Sequence, residues 1–279
     1  MQYIMQELKG KINKMKMNWY KLVFKQNQPI HIGSGSWGVI NQTYIFIPGW
    51  TIWGALTKAY NIHNKKPLSE NQQLFETITC FYPSFNENGD NPLFPDYKNG
   101  VFHLGDYPEH QFRYEFTDTF LSTAIRPESR SAKDESLHEI EILLPQSKIE
   151  NKQLHWVGLL GIKEDQIQNI DNFLKETKIY IGGDTRYGLG ELELVKKEDG
   201  KSYLETWEIN GEINENKPLK NFLEFSNDIN FEGELILLGE FDFLKNKPEL
   251  KEAKYFITTG SSIKKNSKTS YILKKGKFD

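Results

Sequence analysis

A chain of 279 residues is long enough to bury a substantial core, either as one architecture with two lobes or as two domains of ordinary size. Its 35 basic and 38 acidic residues leave a net charge of -3, so any nucleic-acid binding needs a local basic surface. The one cysteine, Cys80, excludes an internal disulfide and a thiolate metal clip, as expected of a cytoplasmic protein.

Residues 1–18 carry lysines that interrupt every apolar run. They read as a solvated lead-in to the first strand, with a basic arm as the alternative, and with neither a signal-peptide core nor a membrane span. The alternation in NWYKLVFKQ predicts a first strand from Trp19, and TYIFIPG predicts a second that stops at Pro48 and Gly49. WTIWGALTKAY has helical spacing, with Trp50, Trp53, Ala55, Leu56 and Tyr60 available for a buried side. LSENQQLFETI carries Ser69 and Gln72 at capping-box spacing, which predicts another helix.

From Gly100 the pattern is one of strands: GVFHLGD, then QFRYEFTDTFLSTAI with Phe112, Tyr114 and Phe116 on one face. After the polar run RPESRSAKDES, LHEIEILLP and LHWVGLLGI resume it. KEDQIQNIDNFLKET puts Ile167, Ile170, Phe173 and Leu174 on one helical stripe, and KIYIGGDTRYGLGELELV reads as strand, glycine-rich loop, strand. Past Lys201, FEGELILLGEFDFL is the clearest strand. The chain ends in a lysine cluster, Lys264, Lys265, Lys268, Lys274, Lys275 and Lys277, expected to be a solvated basic tail, with contact to RNA or a neighbouring subunit as the alternative.

HIGSGSWG, from His31 to Gly38, has the letters of a nucleotide-binding G-x-G-x-x-G loop. A dinucleotide site needs a helix directly after the glycines, to hold the pyrophosphate on its N-terminal amides. Here β-branched and aromatic residues follow and end in proline. A kinase loop needs a downstream phosphate-pairing lysine and two aspartate motifs, and none occurs. What remains is a turn between strands that lets a phosphate or a partner backbone come close. IGGDTRYGLGEL forms a second such cluster, in which Arg186 can fork onto a phosphate and Tyr187 can stack on a base.

In order the chain gives HIGSG, FIPGWTIWGALT, AIRPESRSAKDESLHEIE and IGGDTRYGLGEL. This succession resembles the RAMP superfamily of CRISPR-associated proteins, particularly type III (Csm and Cmr) effector subunits, over roughly residues 19 to 195. The family's IxRxTxxAxxxxLxxxE-like hairpin is matched by Ile125, Arg126, Ser129, Ala132, Leu137 and Glu141. The resemblance implies an α+β fold: a modified ferredoxin-like (RRM-like) core over 19–200, with an antiparallel sheet, glycine-rich loop and thumb hairpin. Residues 201–279 would form a smaller C-terminal lobe or extension. It further implies a subunit bound to CRISPR RNA and to other effector subunits, meeting target RNA through guide pairing, without a cofactor.

Carried over by position, Gly33, Ser34 and Gly35 would line the guide backbone, and Pro48, Gly49, Trp50 and Thr51 would open the first helix against it. Gly182, Gly183, Arg186, Tyr187, Gly188 and Gly190 would form the later loop, and Arg126, Ser129, Arg130 and Lys133 would be the polar residues of the thumb. Trp50 and Trp53 depart from the family's small hydroxyl and basic residues. Target-cleaving relatives keep an aspartate between the glycine turn and the IPG segment, but His31 to Lys58 holds no Asp or Glu, and Asn41 cannot act as a carboxylate ligand. The expectation is a noncatalytic subunit without a metal site. A ribonuclease of the same superfamily is the alternative, either a guide-processing enzyme with His31 as its acid or base or a subunit that cleaves target RNA with an acid from elsewhere.

Overall fold

The computed structural model describes residues 17–134, 136–175, 177–209, 213–242, 247–265 and 271–279; most of the lead-in and Lys268 lie outside them. The N-terminal part runs through β1 (Met17–Gln26), β2 (Gly33–Trp37), β3 (Ile40–Thr43), helix α1 (Gly49–His63) and β4 (Tyr82–Ser84). A small meander follows, of β5 (Pro95–Lys98), β6 (Val101–Leu104) and β7 (Tyr107–Pro108). Then come helix α2 (Glu109–Phe116), β8 (Thr117–Ser122), β9 (His138–Leu143), β10 (His155–Lys163), helix α3 (Ile167–Phe173), β11 (Lys178–Tyr180) and β12 (Glu191–Asp199). The C-terminal part adds β13 (Phe222–Glu224), β14 (Asn230–Glu232), β15 (Leu235–Asp242), β16 (Glu249–Ile257), β17 (Ser262–Lys265), β18 (Leu273–Lys274) and β19 (Lys277–Phe278).

The main sheet has the order β11-β12-β1-β10-β4, with every neighbouring pair antiparallel. Its inner strand β10, HWVGLLGIK, flanked by β1 and β4, is buried along all but its last residue, which explains a run too apolar for a half-exposed strand. Helix α1 buries Ile52, Ala55, Leu56 and Tyr60 toward this sheet, and the Tyr60 ring meets Phe173 of α3 edge-on at 5.3 Å. Full burial contributes roughly 1.5–3 kcal/mol for a side chain the size of Ile52 or Leu56. Among the described residues no helix is long and apolar enough to cross a membrane.

A second sheet, β2-β3-β9-β8, carries the opening glycine motif and the polar hairpin side by side, through parallel pairing of Ile40 with Glu139 and Asn41 with Ile140. The C-terminal strands form a third sheet, β15-β16-β13-β19-β18, over a cluster that includes Leu219, Leu223, Ile257 and Ile263. It abuts the main core where Phe222 meets Trp50 at 5.0 Å.

Five expectations need correction. The strand expected over TYIFIPG lies further upstream, as β3 (Ile40–Thr43), and shares only Thr43 with it. The opening glycines belong to a strand; only Gly38, with φ +61°, sits in the turn that follows it. LSENQQLFETI is a chain of turns, because Asn71 is left-handed at φ +57° and the Asn61 side chain takes the Glu70 carbonyl at 2.7 Å. QFRYEF lies wholly within helix α2, so Phe112 and Phe116 stack one turn apart at 4.7 Å while Tyr114 faces solvent. Finally, the C-terminal lysines are no solvated tail: Lys275 is buried and pairs with Glu240 at 3.0 Å, and Lys264 pairs with Glu232 at 3.1 Å. On α3, Ile170, Phe173 and Leu174 are buried, and the side chain of Ile167 lies outside the described residues.

Candidate functional site

The two glycine clusters, about 150 positions apart in sequence, lie against each other. The Gly183 amide donates to the His31 carbonyl at 2.9 Å, and the Gly190 amide to the Pro29 carbonyl at 2.8 Å. Gly182 has φ +75°, and a Cβ there would stand 2.1 Å from the His31 oxygen, so no other residue fits. The loop is therefore clipped onto the chain just before β2. The amides of Gly183 and Gly190 are consumed by the clip, and Gly190 is buried. Exposed on the loop are Gly182, Gly183, Arg186, Tyr187 and Gly188. Arg186 has no ion-pair partner among the described residues, and Tyr187 stands 76% exposed on the turn Thr185–Tyr187. A free guanidinium beside a free phenol ring is suited to one phosphate and one base.

On the adjoining strand Gly33 and Gly35 are exposed and Ser34 is half-buried, at a bulge in the pairing of β2 with β3. His31 is half-buried, and its Nδ1–H donates to the Glu141 carbonyl at 2.7 Å, which leaves Nε2 as the available nitrogen. Asn41 is exposed on β3, opposite Ser36. Among the described residues no group of three or more His, Cys, Asp or Glu side chains is arranged to hold a metal.

The polar run extends the hairpin of β8 and β9 through a bridge between Ile125 and Ala132, with Arg130 left-handed at φ +52° near the tip. Arg126, Ser129, Arg130 and Lys133 are all exposed. They are not equivalent: Arg126 is neutralised by Asp134 at 2.7 Å and Ser129 bonds to Ser131 at 2.7 Å, whereas Arg130 and Lys133 form no ion pair among the described residues. Ile125, Leu121 and Leu137, more than half exposed, give the hairpin an apolar side.

Sequence reasoning missed the clamp at its base. Arg113 of α2 bonds Glu141 at 2.6 Å, Glu109 at 2.7 Å and the Thr43 carbonyl at 3.1 Å, and Glu141 also accepts the Thr43 amide at 3.0 Å. Reading QFRYEF as a strand hid Arg113; helical i,i+4 spacing from Glu109 was the available signal. Glu141, matched only as a motif letter, thereby ties β3, β9 and α2 together.

The IPG segment is placed differently from its expectation. Gly49 is buried, with Gly276 packed directly on it, and Thr51 is half-buried, its amide donating to the Pro48 carbonyl at 2.9 Å. Gly49 therefore offers no surface to a ligand.

No protein-family model matches the sequence, and no curated protein matches it significantly. Its fold does match solved structures. One chain of the type III-B Cmr-beta complex bound to cognate target RNA superposes with a TM-score of 0.55 at 16% identity, over 88% of this chain and 86% of that one. A chain of the same complex bound to cognate target RNA and AMPPnP gives 0.52 at 15% identity, with the same coverage. At these identities the likeness is one of fold.

Proposed function

We propose that this protein is a noncatalytic subunit of a type III-like CRISPR effector complex that binds the backbone of the CRISPR RNA and helps assemble the complex for antiviral defence. The observation that carries the reading is the clip between His31 and Gly183, which sets the free Arg186 and Tyr187 beside the exposed glycines of β2. The architecture supports it. The succession β1, α1, β4, β10, α3, β12, with sheet order fourth, first, third, second, is that of a ferredoxin-like core. Both the RAMP reading and its RRM-like core rest on this order and on the four motifs.

Phosphates would be held by Arg186 and by thumb residues Arg130 and Lys133, while sequence is read by base pairing of the guide. The partners are then CRISPR RNA, neighbouring effector subunits and, through the guide, target RNA, in the cytoplasm. With Asn41 in place of an acid, β3 itself carries no carboxylate, and Glu141, which lies against Thr43, is bound by Arg113.

The test is incubation of the purified protein with labelled repeat RNA, first in EDTA and then in magnesium or manganese. Retention of intact RNA in both is expected. Cutting in EDTA that is lost in His31→Ala would instead assign a histidine-dependent ribonuclease, and absence of RNA binding would overturn the reading.

A further inference from the structure

A cleft of about 450 Å³, within the size range of ligand sites, opens where β3, the meander, α2 and β15 meet. Its floor is a run of rings. Tyr44 lies edge-on to Phe46 at 5.3 Å, Phe46 lies 6.4 Å from Phe102, and Phe102 meets Tyr97 edge-on at 5.4 Å. Tyr44, Phe102 and Tyr97 are half-buried, so part of each ring is open to the cleft.

The charges on its walls do not cancel. Arg113 and Glu109 of α2 pair with each other at 2.7 Å, and Glu141 takes up the rest of the guanidinium at 2.6 Å. Glu234, just ahead of β15, is exposed and has no ion-pair partner among the described residues. Burial pushes the Tyr97 hydroxyl up, Thr258 pulls it back and the Glu234 charge raises it again, so this carboxylate is felt at the rings. The unmatched charge of the cleft is therefore negative.

That sign decides what the cleft takes. A phosphate is repelled by Glu234, and a metal ion would find a single free carboxylate. A cation on an apolar stem is served by both parts, because ring faces attract it and the carboxylate completes its charge. Arginine fits better than lysine: its flat guanidinium stacks on a ring and forks onto a carboxylate, whereas an ammonium is a compact, strongly hydrated point charge. Arg113 shows the same pairing from within the chain, held between Glu109 and Glu141. Arginines seated in desolvated pockets are among the side chains that dominate protein interfaces.

We propose that this cleft receives an arginine side chain of a neighbouring protein chain, its guanidinium forked onto Glu234 and stacked on Tyr97 and Phe102. The proposal rests on the reading of the chain as one subunit of an assembly, and gives that assembly a contact whose rings and carboxylate lie outside the four sequence motifs.

The probe is a blocked arginine tripeptide, acetyl-Gly-Arg-Gly-amide, titrated into the full chain while the ring signals of Tyr97 and Phe102 are followed by NMR. Saturating shifts at millimolar peptide are expected, with none from the citrulline peptide, which keeps the shape of arginine and lacks its charge. Glu234→Gln keeps the size of the side chain and, with no ion pair to lose, the thermal midpoint. It lowers the peptide affinity about tenfold and leaves retention of labelled RNA unchanged. Phe102→Leu, which keeps an apolar side chain and removes the ring face, weakens the peptide as well. Rings that do not respond, or that respond equally to the citrulline peptide, overturn the proposal while the RNA-binding reading stands. Displacement of the arginine peptide from the rings by single-stranded RNA overturns it in favour of a nucleobase. If the rings respond but the wild-type protein retains no RNA, the arginine site stands and the reading of the chain as a guide-binding subunit fails.

Discussion

Gly276 lies on Gly49 so closely that a methyl group added to Gly49 would stand 2.5 Å from the Gly276 Cα. The contact is backbone on backbone, with no flexible side chain to yield. Gly276 is held in turn by its amide bond to Ile78 at 2.7 Å and by accepting the Phe222 amide at 3.0 Å. The last turn of the chain thus seals the start of α1. Gly49→Ala is expected to cost about 1–3 kcal/mol as an overpacked contact. Gly276→Ala costs about 1–2 kcal/mol more, because its φ of +77° disfavours a side chain. Urea denaturation measures both; wild-type stability for Gly49→Ala would mean that the end of the chain does not dock there.

The Arg113 clamp predicts a local effect. Glu141→Ala leaves a largely buried guanidinium with one carboxylate partner in place of two and removes the acceptor of the Thr43 amide, at a cost of about 1–3 kcal/mol. Since Glu141 joins β9 to β3, hydrogen exchange should accelerate at Thr43 and across β8 and β9 before it does in the main sheet. Uniform acceleration everywhere would show that the clamp serves global stability only.

What was legible in the sequence depended on whether the signal was local. The first strand, the helix after IPG and the strand-loop-strand of IGGDTRYGLGEL carry local signals, and each element is found where its residues predict it, although β1 buries Lys21 to Phe24 without alternation and Trp50 and Trp53 of α1 are only half-buried. QFRYEF failed because Phe112 and Phe116 satisfy both a two-residue and a four-residue period, and a segment of eight residues is too short to decide. LSENQQLFETI failed because the competitor is remote: Asn61, on the preceding helix, captures its carbonyl. The pairing of Gly183 with His31 and the burial of Lys275 are tertiary facts with no local trace. The glycine-rich composition signalled close approach, but not that one glycine cluster approaches the other.

Stability should fall on the acid side through one ion pair, between buried Lys21 and half-buried Glu198. Lys21 is 2% exposed and meets Glu198 at 2.8 Å and the Asn88 carbonyl at 3.1 Å. Burial pushes the Glu198 carboxyl up, but bonds from Lys21, Lys196 and Tyr203 outweigh it and hold it down to about 2. A carboxyl lower in the folded than in the unfolded chain stabilises fully above its ordinary value of 4.5, and that share is lost as pH falls toward 2. Glu198→Gln should therefore cost about 1–3 kcal/mol at pH 7 and flatten the loss between those pH values. An acid limb as steep as in the wild type would assign it to other carboxylates.

The two arginines of the proposed RNA surface should behave differently, although both are exposed in loops rich in small and polar residues. Arg186 carries no counter-charge, so Arg186→Ala removes a cation that is free to meet a phosphate and lowers the salt slope of RNA binding by about 0.7. Arg126 is paired to Asp134 at 2.7 Å, and a phosphate must displace that carboxylate before it can gain anything. Arg126→Ala alone also strands Asp134 as a repulsive charge, so it weakens binding chiefly through that residue. The double change Arg126→Ala with Asp134→Asn should then restore most of the affinity, whereas no second change at the hairpin restores Arg186→Ala. Filter binding of one single-stranded RNA across a salt series reads all three variants; an Arg186→Ala protein with wild-type slope and affinity would place that guanidinium outside the RNA contact.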